Sequence, residues 1–179
     1  MDYADLHVRF PAKNLGELGF ARAGILGENL VEVKLEKPRD ANMQKQTGKL
    51  LVFSSPNPSL LSQFLKRADF VFLSIFEPDM ELLRACITNK KVLEIPVSPL
   101  LKARGMERAK LLAKMRIFLR ILNKMGAEYV ITSRAENEYS IKSPEELIAI
   151  GELLGLTHGQ AVRAVSVTPL AMLAEAGKC

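Results

Sequence analysis

The chain alternates between two hydrophobic periods, and that alternation limits its fold more than any other feature. Short, almost continuous apolar runs lie at 5–8, 30–35, 50–53, 70–75, 92–97, 129–132 and 165–167, and helical patterns fill most of the gaps. A strand that is apolar on both faces is covered on both faces, and strands separated by helices pair in parallel. Two architectures satisfy this pattern, an open doubly wound sheet and a barrel. No glycine-rich phosphate loop follows any of the runs, which removes the main support for a nucleotide-binding open sheet. A full eight-unit barrel takes ~250 residues. The class is α/β, and at 179 residues a TIM-like (β/α) barrel would be compact or slightly incomplete, with 1–179 as a single domain.

Local signals place the helices. Leu60, Leu61, Phe64 and Leu65 share one face of the segment 57–68, and Met80, Leu82, Leu83, Cys86 and Ile87 share one face of the next. Pro58 follows an asparagine that can cap, and Pro78 precedes Asp79, whose charge suits a helix N-terminus. A third helix starts near Gly105 and runs to Met125, with Gly126 placed for a left-handed cap. Ser143, Pro144, Glu145 and Glu146 make a capping-box opening for a fourth, which Gly155 stops; Thr157 and Gln160 open another. The stretch 36–48 is polar and aperiodic, hence a loop.

Charge is concentrated rather than spread. The net charge is +5, yet 102–127 holds eight basic residues and one acid, so the remainder is slightly acidic. At 100° per residue, Leu111, Leu112, Met115, Phe118, Leu119 and Leu122 share one face of the third helix. Lys110, Arg116, Arg120 and Lys124 gather on the other, with no acid between Glu107 and Glu128. Like charges at i,i+4 repel by a few tenths of a kcal/mol, and a purely structural surface helix would intersperse acids. The uncompensated row reads as a phosphate-binding face.

Several function classes are disfavoured. The apolar run 70–76 is far shorter than the ~20 residues of a membrane span. The first five residues carry two acids and no apolar core of a signal peptide. Cys86 and Cys179 form neither a disulfide framework nor a zinc cluster, which points to a reducing, cytoplasmic setting. Asp5-Leu6-His7-Val8-Arg9 resembles the first, His-x-His metal motif of the polymerase and histidinol phosphatase metallohydrolases, but Arg9 takes the second histidine position. A guanidinium cannot ligate a metal, and His158 is the one other histidine. The expectation is therefore no metal site and no catalytic residue, with His7 a hydrogen-bonded strand residue. Ser133-Arg134-Ala135-Glu136 follows the run ending at Thr132 without a nearby histidine to activate the serine. It reads as a polar loop with Arg134 facing outward toward nucleic acid.

Three stretches in register resemble one family: Ser98-Pro-Leu-Leu-Lys-Ala-Arg-Gly-Met-Glu-Arg-Ala-Lys-Leu-Leu, Tyr129-Val-Ile-Thr-Ser-Arg-Ala-Glu, and Lys142-Ser-Pro-Glu-Glu-Leu-Ile-Ala-Ile-Gly-Glu-Leu-Leu-Gly-Leu. They are similar to archaeal ribonuclease P protein component 3, and Gln160-Ala161 and 166–169 continue the match. The resemblance implies a barrel that has lost the metallohydrolase site and a cytoplasmic ribonucleoprotein acting on precursor tRNA. It implies that ribonuclease P RNA performs the cleavage with magnesium, that no cofactor binds the protein, and that the partners are this RNA, component 2 and other subunits. Lys102, Arg108, Lys124 and Lys142 match basic positions of the family. With Arg104, Arg116, Arg120, Arg134 and Arg163 they form the expected RNA-binding set; Arg163 stands beside Val162, where the family tends to be basic. The competing readings are a stand-alone metal-dependent phosphoesterase on a related barrel and an adaptor unconnected with tRNA.

Overall fold

The computed structural model describes residues 1–12, 14–42 and 46–177; Cys179 and part of the 36–48 loop lie outside them. The strands are β1 (Ala4–Val8), β2 (Arg22–Ile25), β3 (Leu30–Lys34), β4 (Leu50–Ser55), β5 (Phe70–Leu73), β6 (Val92–Pro96) and β7 (Tyr129–Thr132). The helices are α1 (Pro58–Phe64), α2 (Met80–Thr88), α3 (Ser98–Lys102), α4 (Gly105–Met125), α5 (Pro144–Leu153), α6 (His158–Val165) and α7 (Val167–Ala176). Each strand pairing is parallel, in a sheet of two, β1-β2, and a sheet of five, β3-β4-β5-β6-β7. This is the parallel α/β arrangement that the apolar runs imply. β1, β4, β5, β6 and β7 are buried at every residue, because helices cover one face and other strands the opposite one.

The two sheets share an interior. Ala4 and Leu6 of β1, Leu30 of β3, Leu50 and Val52 of β4, Phe70 of β5, Val92 of β6 and Val130 of β7 form one buried cluster, with Met172, Leu173 and Ala176 of α7 against it. Arg9 N–H donates to the Ala135 carbonyl at 2.8 Å, just beyond the ends of β1 and β7. A bridge between Leu26 and Leu30 joins the end of β2 to the start of β3. The hydrogen-bonded ladder itself is divided between the two sheets.

The sequence's helix signals act as read. Asn57 accepts from Ser59 N–H, Asp79 from Leu82 N–H, and Ser143 and Thr157 form reciprocal capping boxes with Glu146 and Gln160. Gly126 closes α4 at φ 73°, in the left-handed region. Two expectations need correction. The run 165–167 is not a strand: α6 ends at Val165 and α7 starts at Val167, with Ser166 as the break between them. Val165 is buried in the main core, so helix packing overrides the β preference of the two valines. β2 carries no strand signal, since Arg22-Ala-Gly-Ile lacks an apolar run. It exists because Gly24 lets the backbones meet, a Cβ there falling 2.2 Å from the Leu6 carbonyl oxygen.

Candidate nucleic-acid interface

α4 positions the basic row. Met115, Phe118, Leu119 and Leu122 are buried, and Leu111 and Leu112 are half-buried against the same core. Arg116, Arg120 and Lys124 are exposed on the other side, as the 3.6-residue period requires.

The basic residues differ sharply in what already holds them. Lys102 pairs with Glu136 at 2.7 Å, Lys142 with Glu146 at 3.1 Å and Arg163 with Glu128 at 2.7 Å. Arg108 donates from Nε to the Ala103 carbonyl at 2.7 Å and from Nη2 to that of Leu101 at 3.2 Å, so it ties off the end of α3. Arg116 donates from Nε to the Leu153 carbonyl at 2.8 Å, at the end of α5, and forms no ion pair with the described residues. Among the described residues, no side-chain hydrogen bond or ion pair engages Arg104, Arg120 or Lys124. Exposed pairs such as Lys142 with Glu146 hold their partners weakly, by at most about 1 kcal/mol, so the paired lysines remain available at a small cost. The unpaired ones carry none.

Arg134 corrects the outward-facing expectation. It is only 8 % exposed and has φ 48°, an uncommon conformation for a non-glycine residue. Its guanidinium pairs with Glu32, stands 3.5 Å from Glu94 Oε1 and lies 4.3 Å above the centre of the Phe72 ring. His7 is fully buried beside it. The imidazole Nδ1 is 2.9 Å from Glu94 Oε1 and Nε2 is 3.4 Å from Glu32 Oε2, ion-pair distances at angles short of a hydrogen bond. Arg9 adds 2.9 Å to Glu32 and 3.4 Å to Glu136. His7 of β1, Glu32 at the middle of β3, Glu94 at the middle of β6 and Arg134 just after β7 thus form an internal cluster of two carboxylates and two cations, with Arg9 at its rim.

This cluster is built for charge balance. Burial alone would lower the His7 pKa, but Glu94 and Glu32 outweigh it and hold the imidazole at about 9. Burial pushes Glu32 up, and His7, Arg134 and Arg9 together bring it down to about 2; Glu94 is lowered by His7 and Arg134 against the same penalty. At neutral pH the two carboxylates therefore hold His7 in its imidazolium form. Asp5 accepts from the backbone N–H groups of His7 and Ser133, and burial nevertheless raises its pKa. Ser133 Oγ accepts from Ala135 N–H at 3.1 Å, holding the turn after β7. His158 is exposed on α6 and paired with Glu152 at 2.7 Å. Sequence reasoning missed Glu32 and Glu94. Their signal was available: each is an acid interrupting an otherwise apolar run, and a buried carboxylate needs a partner.

Comparison with known proteins agrees with the resemblance. Ribonuclease P protein component 3 of Methanosarcina barkeri is 31 % identical over 88 residues, 49 % of this chain and 37 % of that protein. Its counterpart in Methanothermobacter thermautotrophicus is 26 % identical over 96 residues, 54 % of this chain and 39 % of that protein. The matched segments therefore span less than two fifths of those relatives. A chain in the cryo-EM structure of archaeal ribonuclease P with mature tRNA superimposes with a TM-score of 0.71 at 18 % identity, over 98 % of this chain and 80 % of that one. Aspergillus niger ochratoxinase aligns with a TM-score of 0.58 at 11 % identity, over 82 % of this chain and 40 % of that one. At these identities the likeness is one of fold. The family model for the RNase P subunit p30 matches residues 43–179, and the chain belongs to that family.

Proposed function

We propose that this chain is a protein subunit of ribonuclease P that binds and supports the catalytic RNA in the 5′ maturation of precursor tRNA. In this reading the RNA cleaves the phosphodiester with magnesium. The protein binds no cofactor, works in the cytoplasm, and assembles with component 2 and other subunits. The observation that carries the proposal is family membership over 43–179 coupled with a row of exposed cations on α4. Backbone phosphates recognised by such a row release counterions, which supplies affinity without sequence readout. The internal cluster argues against a stand-alone phosphoesterase. Arg134 pairs with Glu32 and stands 3.5 Å from Glu94, so a guanidinium occupies the carboxylates that a hydrolytic metal would have to use. No described helix is long and apolar enough to cross a membrane. Reconstitution tests the proposal: adding the chain to ribonuclease P RNA with its other subunits should speed precursor cleavage. Unchanged cleavage, or metal-dependent cleavage by RNA-free protein, would overturn it.

A further inference from the structure

One cleft has cations as its only charged lining residues. It is a groove of about 270 Å³ between α4 and the turn after α5, bounded by Arg116, Arg120, Asn123, Leu154 and Gly155. A larger groove of about 430 Å³, at the N-terminal ends of β4 and β6, sets Lys90, Lys91 and Arg163 against Asp69, Glu128 and Glu175. Its charges balance, so an anion gains little there. A groove lined by Phe10, Leu15 and Leu18 carries Glu17 and Glu138, which disfavour an anion outright. The α4 groove has two guanidiniums and no acid.

The two arginines are prepared differently. The Nε bond from Arg116 to the Leu153 carbonyl fixes the plane of its guanidinium at the groove edge and leaves Nη1 and Nη2 without a described partner. Arg120, one turn along α4, has no described partner at all. Gly155 adopts φ 97° and ends α5, and its missing side chain leaves that wall open, with nothing within 4 Å of where a Cβ would stand. Asn123 supplies a polar side chain whose Oδ1 accepts from the Tyr129 hydroxyl at 2.8 Å, so its amide NH₂ faces no competing acceptor from that residue. Planar guanidiniums bind phosphate oxygens through paired N–H donors, and this is where arginine differs from lysine.

We infer that this groove is a seat for a backbone phosphate of RNA, gripped by Arg116 and Arg120, with Lys124 one further turn along α4 serving the next stretch of the strand. The inference rests on the RNA-binding reading above and narrows it: the ion-paired Lys102, Lys142 and Arg163 contribute less than this pair.

The test uses the full chain and transcribed ribonuclease P RNA with the remaining subunits, measuring affinity across a salt series. Arg116→Ala and Arg120→Ala should each weaken binding about tenfold, as expected for a charged hydrogen bond. Each should flatten the slope of log affinity against log salt by about 0.7 to 0.9. Arg120→Lys should retain most of the slope but lose affinity, since the charge survives and the paired donors do not. Lys142→Ala and Arg163→Ala serve as comparison, and unchanged thermal unfolding shows that each variant is folded. If the wild type binds with a steep slope but Arg116→Ala and Arg120→Ala lose no more than Arg163→Ala, the groove is refuted and the RNA-binding reading stands. A wild type with no salt-dependent affinity overturns both.

Discussion

Replacing Glu94 with Gln probes the internal charge cluster most directly. The amide keeps the shape and can still accept from Thr132 Oγ1, which lies 2.7 Å from Glu94 Oε1. It removes the charge that His7 meets at 2.9 Å and Arg134 at 3.5 Å, leaving two cations to share Glu32. Removing one partner of a buried pair costs about 3–5 kcal/mol. The proton affinity of His7 gives the net effect of both carboxylates against burial. His7 sits at about 9 in the fold against 6.5 for a free imidazole, and two and a half decades of proton affinity correspond to about 3 kcal/mol. Because the folded value is the higher one, that stabilisation is complete below about pH 6.5 and is lost as pH rises through about 9. Glu32 works in the opposite sense: held at about 2 against 4.5, it contributes above pH 4.5 and loses its contribution as pH falls toward 2. The His7 and Glu32 contributions are therefore both complete between about pH 4.5 and 6.5, and one or the other declines on either side. Urea unfolding at a series of pH values from 6 to 9.5 reads this out. Glu94→Gln should lose about 3–5 kcal/mol at pH 6, and the gap to wild type should shrink as His7 deprotonates. A loss under about 1 kcal/mol, within the range of ordinary surface changes, or a gap independent of pH, would refute the account.

Three further outcomes follow from the packing and the charges. Phe118→Ala and Leu119→Ala, both 1 % exposed, should cost about 2–5 kcal/mol in chemical denaturation; a loss below that range would place the basic row on the wrong face. Gly24→Ala forces a Cβ to 2.2 Å from the Leu6 carbonyl oxygen, so the unfolding free energy should drop as for an overpacked core, by about 1–3 kcal/mol or more; a neutral change would mean that β1 and β2 separate freely. Glu136→Gln releases Lys102 and one arm of Arg9, and RNA affinity should rise at low salt with a steeper salt slope. An unchanged slope would show that neither cation reaches phosphate.

What the sequence determined by itself was local. Apolar runs covered on both faces gave parallel strands, and Ser143 with Glu146, Asn57, Asp79 and Gly126 set helix ends through bonds spanning two to four residues. The basic face of α4 was legible because a helix converts spacing directly into direction. The tertiary structure alone decided which charges are free. Lys102 and Glu136 are 34 residues apart, Arg163 and Glu128 are 35, and Arg134 and Glu32 are 102, so no local period connects them. β2 was likewise invisible, since its warrant is a close approach between Gly24 and Leu6 rather than any preference of its own residues. At 165–167 the β preference of the valines gave way to two helices meeting at Ser166, with Val165 buried in the core and Val167 exposed. Arg134 reads as an exposed loop residue in sequence and becomes an interior cation because Glu32 of β3 and Glu94 of β6 converge on it, and buried carboxylates need a charged or hydrogen-bonding partner.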